Sequence, residues 1–351
     1  MGVQIGVLTA DRERTLKRYP DVNCFDTRRG RLVAMIRATL WSDIVVVGGG
    51  ELVQDQSSLL YSPYNLLPLF LAALFGKKSF AWAVGIGQRK ELTAFTRLLT
   101  SLAMKTVSGI TVRDRGSFNV LHSLGVREPK MILASDTALT LSEKNTEVKR
   151  FLGAAPRDVS NRTRHLLPLE IRKKLGMHKP KDPGRAASRW AKLLDWYSKK
   201  FGEKVVLFPF HTGTLSNDDG TFCRLVKKRM KTGEQVHIAD LENTEEFLGL
   251  LRGCRIMVTT PLHGAVMAFA YGVLPVSISY SSKCTRFMEQ AGLADYVAAD
   301  GPGLPGKTSA LALKKARENS ESMEEDMSPR RKELVQRALL TPEHFRKTFN
   351  L

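Results

Sequence analysis

The sequence predicts a doubly wound α/β protein, built as two successive units on parallel sheets. Three observations carry this. Short apolar runs such as Ile44-Val45-Val46-Val47 show no polar alternation, which marks strands covered on both faces. Each run closes on glycines or polar side chains. Segments with helical spacing of apolar residues separate the runs, so strand and helix alternate along the chain.

In chain order, residues 3–9 (VQIGVLT) read as a strand and 21–25 as a second short one. Leu32, Met35, Ile36 and Leu40 share one helical face over 32–41. The strand 44–47 opens into Gly48, Gly49 and Gly50, followed by Glu51, Gln54, Asp55, Gln56, Ser57 and Ser58. Glycines let backbone approach a ligand and take positive φ. A buried strand that opens into glycines and then polar groups is how an open α/β sheet builds a crevice at its carboxyl edge. A plain tight turn is the alternative. A buried helix is expected over 63–75, a strand over 79–84 ending in Gly85-Ile86-Gly87, and a helix over 92–106. A strand over 109–112 leads to Arg113 and Asp114, a helix over 117–124 stops at Gly125, and a strand over 131–134 leads to Asp136.

A charge run over 143–150 reads as a surface segment, after which the pattern restarts. Strands are expected over 151–155, 205–208, 236–239, 255–258 and 275–278. Helices are expected over 187–200, 221–230, 244–251 with Thr244 as N-cap, and 265–271. Residues 161–185 read as an irregular basic insertion, and 314–340 as a charged helix interrupted near Pro329. The expected domains are 1–145, 146–311 and a charged helical tail over 312–351. The first two read as Rossmann-like folds facing a cleft.

At 351 residues two domains are the natural division. Lys plus Arg number 54 against 35 for Asp plus Glu, a net charge of +19. That excess favours anionic partners: phosphorylated metabolites, nucleotides, nucleic acid or an acidic membrane surface. The basic residues lack the aromatic interleaving of an RNA-binding surface, so nucleic acid is not expected. Cys24, Cys223, Cys254 and Cys284 are scattered without zinc-like spacing, which suits reduced thiols in the cytoplasm and no metal site. The longest apolar run, 66–75, is broken by Pro68 and too short to span a bilayer.

The strongest candidate for chemistry is His263, between a strand end and a helix start. The free amides of a helix's first turn favour an anion, and a histidine there can bind phosphate or carboxylate or pass a proton. Lys283 follows the next strand and supplies a positive charge at the same sheet edge. His211 follows another strand end, and Arg157 follows the first strand of the second half. Arg113 and Asp114 sit at a strand end of the first half, where a structural ion pair or cap is the alternative. Asp218 and Asp219, beside Asn217 and Gly220, read as a turn rather than a metal site.

Together these residues resemble the polysaccharide pyruvyl transferase family, over almost the whole chain. The resemblance rests on Gly48, Gly49, Gly50, Gln54 and Asp55 with Ser58 and Tyr61, and on Gly85-Ile86-Gly87-Gln88. It also rests on Arg113, Asp114, Ser117, Leu124 and Gly125, and on Leu262, His263, Tyr280 and Lys283. It implies a fold like the GT-B glycosyltransferases and transfer of pyruvate from phosphoenolpyruvate, a co-substrate, to a sugar, forming a ketal with no further cofactor. It implies His263 as proton donor or phosphate ligand, Lys283 with Arg113 or Arg157 as anion clamps, and Asp55 as the group that activates or orients the acceptor hydroxyl. A glycan or lipid-linked glycan acceptor would place the protein in the cytoplasm, with peripheral contact at an anionic membrane surface through the basic insertion and tail. The resemblance further implies that the chain begins at the family's second strand, the first strand-helix unit being expected to be missing through a start codon placed too far downstream, true absence or trimming. Pro261 stands where the family has Arg, which removes a charge-assisted contact of about 1.5–3 kcal/mol; Arg286 is a nearby basic residue that could replace it. The alternatives are a GT-B-type glycosyltransferase using a nucleotide sugar and a non-catalytic anion or glycan binder.

Overall fold

In the computed structural model the described residues are 2–28, 30–56, 58–141, 149–159, 182–211, 218–298, 300 and 303–351. Most of the charge run expected over 143–150, most of the basic insertion over 161–185, and Ser57 and Asn217 lie outside them. The chain divides into two compact units, Met1–Leu133 with Thr341–Leu351, and Ala134–Leu340.

The first unit contains β1 (Gly6–Thr9), α1 (Arg12–Arg18), β2 (Asn23–Asp26), α2 (Arg31–Trp41), β3 (Ile44–Gly48), β4 (Glu51–Val53) and α3 (Tyr61–Leu74). It continues with β5 (Lys78–Ile86), α4 (Ala94–Thr106), β6 (Gly109–Val112), α5 (Arg115–Ser123) and β7 (Met131–Leu133). Its main sheet runs β3-β5-β6-β7, with β4 also on β5, while β1 and β2 form a separate pair. All these pairings are parallel. Leu66, Leu69, Val84, Ile86, Met104, Ile110 and Leu121 build its core.

Strand β5 changes partner along its length. It pairs with β3 up to Trp82 and with β4 from Gly85. Between them Ala83 takes φ +44°, a left-handed conformation that is strained for a residue with a Cβ. Its N–H donates to Thr111 Oγ1 at 2.8 Å. Gly48 makes the same switch possible from the other side, because a Cβ there would lie 2.1 Å from the Trp82 carbonyl oxygen.

The second unit contains β8 (Phe151–Ala155), α6 (Gly184–Phe201), β9 (Lys204–Leu207), α7 (Asp219–Arg229), β10 (His237–Ile238) and α8 (Thr244–Arg252). It continues with β11 (Cys254–Thr259), α9 (Leu262–Ala270), β12 (Leu274–Ile278), α10 (Ser282–Gln290), β13 (Val297–Ala298) and α11 (Lys307–Phe349), whose residues from Thr341 onward belong to the first unit. The sheet order is β10-β9-β8-β11-β12-β13, again parallel throughout. Trp190, Tyr197, Leu207, Val258, Phe269 and Ile278 are among the buried residues of its cores. Both units are thus parallel α/β, as expected.

Three local expectations change. The N-cap of α8 is Asn243, whose side chain accepts from Glu246 N–H, and not Thr244. Helix α11 runs unbroken through Pro329. Residues 312–351 are not a separate tail: Leu313, Ala316, Met327, Leu334 and Ala338 are buried in the second unit's core, while Phe345 and Phe349 pack on Phe80 in the first unit. Proline costs one helical hydrogen bond, and packing on either side of it holds the helix together.

The start of α11 is held by Asp300, which accepts from Thr308 N–H at 2.7 Å, Ser309 N–H at 2.6 Å and Ser309 Oγ at 2.6 Å. Burial by itself would raise the Asp300 pKa, but these bonds outweigh it and hold the carboxyl below its usual range. A depressed folded pKa contributes stability above the unfolded value, and this is lost as pH falls through the folded value. Asp300→Ala should therefore melt below wild type at pH 7, with the gap closing below about pH 4, as read by thermal denaturation across pH. Gly48→Ala should cost about 1–3 kcal/mol in urea denaturation. Gly50→Ala, whose Cβ would meet nothing within 4 Å, should cost less than about 0.5 kcal/mol.

Candidate active site

In the second unit the chain passes from β8 outward to β9 and β10, then returns to place β11, β12 and β13 on the other side of β8. The strand order therefore reverses between β8 and β11. Parallel sheets bind ligands at the carboxyl edge of such a switch point. Four sequence candidates lie on four adjacent strand ends there, in spatial order: His211 after β9, Arg157 after β8, His263 after β11 and Lys283 after β12.

Contacts connect them. Arg157 Nε donates to Asp219 Oδ1 at 2.8 Å and Nη2 donates to Oδ2 at 2.6 Å, a fork-to-fork pair whose Asp219 side chain is only 2% exposed. Asp219 Oδ2 also accepts from Phe210 N–H at 3.2 Å, and the Asp219 N–H donates to the His211 carbonyl at 2.9 Å. Burial disfavours the Arg157 charge, but Asp219 and then Tyr280 outweigh it and raise its pKa. Lys283 Nζ sits 5.3 Å from the centre of the Tyr280 ring. The first turn of α9 packs on Phe210, since a Cβ at Gly264 would lie 3.3 Å from the Phe210 ring. His211 and His263 are both exposed at this edge.

His263 lies in the first turn of α9 and Lys283 in the first turn of α10, so two helix N-termini point their amides toward the same edge. Pro261 is the N-cap of α9 and has no side-chain oxygen to accept from those amides. Beside it, the fully buried Thr260 Oγ1 meets no hydrogen-bond partner among the described residues. Buried hydroxyls are rarely left so, and an oxygen-rich ligand would satisfy one.

The first unit's carboxyl edge divides its candidates differently. Gly48 is a packing residue, and Gly49, at φ +76°, spends its N–H on the Trp82 carbonyl at 3.0 Å. The Gly49 amide is therefore already engaged within the fold, and a side chain at Gly48 is excluded by Trp82. Gly50 accepts from Gly85 N–H at 2.8 Å. Gln54 is buried, with its backbone bonded to Ser62 Oγ and its Oε1 accepting from Gln56 N–H at 2.7 Å.

Asp55 is 1% exposed, with Oδ2 accepting from Thr93 N–H at 2.7 Å and Oδ1 from Thr96 Oγ1 at 2.8 Å. Each oxygen thus accepts a hydrogen bond from the start of α4, which fixes the carboxylate beside that helix. Arg113 is buried with its guanidinium over Gly85, where a Cβ would meet Nη2 at 2.9 Å. Its neighbour Asp114 caps α5 through Ser117 N–H and Oγ, both at 2.8 Å. Among the described residues no three His, Cys, Asp or Glu side chains are placed to hold a metal ion.

Sequence reading missed Asp219 as the anchor of Arg157. The turn expected around Asp218 and Asp219 is instead a helix start: Asp218 accepts from Gly220 and Thr221 N–H at 3.0 Å as the N-cap of α7, and Asp219 is its first residue.

A family model for polysaccharide pyruvyl transferases matches residues 2–282, which includes every candidate except Lys283 just beyond its end. The chain belongs to the polysaccharide pyruvyl transferase family. It is 23% identical over 299 residues to the amylovoran biosynthesis protein AmsJ of Erwinia amylovora, covering 82% of this chain and 68% of that protein. Among solved structures it resembles S. aureus MnaA with UDP (TM-score 0.59, 11% identity, 99% of this chain and 89% of that one). It also resembles UDP-GlcNAc 2-epimerase from Neisseria meningitidis bound to UDP-GlcNAc (TM-score 0.57, 12% identity, 98% and 91%). Anabaena HepE in complex with UDP and glucose is similar too (TM-score 0.58, 10% identity, 99% and 91%). At these identities the likeness shows the fold, which is the GT-B-like architecture expected for the family.

Removing Asp219 would strand the Arg157 charge in a buried setting, which costs about 3–5 kcal/mol. Asp219→Ala should lower stability by that order in urea denaturation. The adjacent Asp218→Ala, which deletes a helix cap and an exposed contact to Arg224, should cost about 1 kcal/mol.

Proposed function

We propose that this member of the family transfers pyruvate from phosphoenolpyruvate to two hydroxyls of one sugar in an exopolysaccharide glycan, forming a ketal and releasing phosphate. The observation that carries this reading is the grouping of Arg157, Tyr280, Lys283 and His263 around two helix N-termini at the switch point of the second sheet. The donor has a phosphate and a carboxylate, and this edge offers two sets of amides and a lysine to receive them.

The reaction needs one proton on the donor's methylene carbon, which becomes the methyl group. One sugar oxygen then adds at C2, the C2–O bond to phosphate breaks, and the second sugar oxygen closes the ketal. The two hydroxyl protons balance the one taken up by carbon and the one leaving with phosphate. His263 is assigned the proton delivery, since it is exposed beside the amides that would hold the phosphate. Lys283 holds an anionic group. Arg157 contributes less free charge than its position suggests, because Asp219 already neutralises it. Arg286 lies three residues beyond Lys283 on the same helix face and is assigned the charge that the family's arginine supplies at the Pro261 position. The first unit's edge, with Gly50, Gln54 and Arg113, is assigned to the glycan. Relatives by fold bind UDP, so nucleotide sugars are the competing donors in the test.

Phosphate release should be measured with phosphoenolpyruvate and candidate glycan intermediates. His263→Ala should lower turnover at least about 100-fold with an unchanged urea midpoint; full turnover would remove His263 from the mechanism. In thermal shift, phosphoenolpyruvate should stabilise the protein. Stabilisation by UDP alone would favour glycosyl transfer instead.

A further inference from the structure

Helix α4 buries one face and exposes another, and large apolar side chains stand on the exposed one as well. Thr96, Thr100, Ala103 and Met104 are buried against the first unit, two of them threonines. Phe95, Leu98 and Leu102 are 59%, 58% and 48% exposed. At 100° per residue these three fall within about 60° of one another, so they form one apolar stripe along the helix. Large apolar side chains scattered singly on a surface need no explanation, but a continuous stripe marks a contact surface.

The charge around the stripe identifies what covers it. Arg89 and Lys90 are exposed just ahead of the helix, and Lys105 is exposed beside the stripe, three residues beyond Leu102. Arg97 lies off the stripe and donates back to the Leu92 carbonyl at 3.4 Å. No Asp or Glu occurs from residue 92 to residue 113. The nearest acid, Glu91, already accepts from Gln56 Nε2 at 3.2 Å and Gln88 N–H at 3.3 Å. A second copy of the chain seated symmetrically on this face would oppose cation to cation, which disfavours that occupant. An apolar stripe bordered by Lys and Arg is the pattern of a helix lying on an anionic bilayer, with its apolar side chains among the acyl chains and its cations at the headgroups.

We infer that α4 docks the first unit on an anionic lipid surface. Phe95 follows Thr93, whose N–H is held by Asp55, so the stripe begins at the carboxyl edge that carries the first unit's candidate residues. A glycan carried on a lipid would be presented to that edge by the same membrane. The inference goes beyond the proposed chemistry and needs no turnover to be tested.

The full-length protein should be floated with vesicles of phosphatidylcholine alone and of phosphatidylcholine with phosphatidylglycerol. Binding is expected only to the second, weakened by salt, and reduced about tenfold or more in the Phe95→Ser/Leu98→Ser/Leu102→Ser variant. As an independent reading, the Phe95→Trp variant should gain a blue-shifted emission component when phosphatidylglycerol vesicles are present. Equal flotation of wild type and triple variant overturns the inference, as does an emission of the Phe95→Trp variant that the vesicles leave unshifted. A wild-type dimer that the triple substitution converts to monomer would assign the stripe to a second copy and overturn it as well.

Discussion

A parallel ladder sends every strand of a sheet to the same edge, and both sheets of this protein obey it. Each strand must then be joined to the next by a crossover, so helices cover the faces and the polar chain reversals gather at one rim. That constraint explains why residues as distant as Arg157, His211, His263 and Lys283 occupy successive strand ends. It also explains why the glycines matter where they do. Backbones crowd at the rim, and Gly48 is there because Trp82 leaves no room for a Cβ.

The second organising fact is how a chain of net charge +19 keeps its internal cations satisfied. Arg157 is matched by Asp219 in a bidentate pair. Glu203 accepts from Arg255 Nε at 3.0 Å and Arg317 Nε at 2.8 Å, and from the Tyr197 hydroxyl at 2.8 Å, which ties α11 to the second sheet. Burial, then Glu203, pushes the Tyr197 phenol well above its usual range. These pairs hold geometry more than they add stability, since desolvation offsets much of their attraction.

Much of this was legible in sequence. The strands over 109–112 and 151–155 were bounded correctly, because uninterrupted β-branched or small apolar runs have few other uses. His263 and Lys283 were identifiable because each follows a strand by a few residues. The two short strands β4 and β13 and helices α1 and α10 are not legible in sequence, since three or two residues carry no period and both helices have strongly polar sequences. Asp55 was read as chemistry because it follows glycines. Its actual partners, Thr93 and Thr96, are 38 and 41 residues away, beyond any local pattern.

Local pattern and composition by themselves determined the parallel α/β class, the two-unit build, the basic charge and the family, because each depends on periodicity, charge or short motifs. The tertiary structure decided which candidates lie on neighbouring strand ends and which side chains bond to distant elements. Arg157 belongs with Asp219 and Tyr280 because β8 lies inside the sheet, next to β9 on one side and β11 on the other. Asp55 belongs with α4 because β4 runs beside β5. The same holds for the face of α4. Periodicity shows that Phe95, Leu98 and Leu102 lie together, but only the packing of Thr96, Thr100, Ala103 and Met104 shows that the apolar stripe is the one turned to the outside.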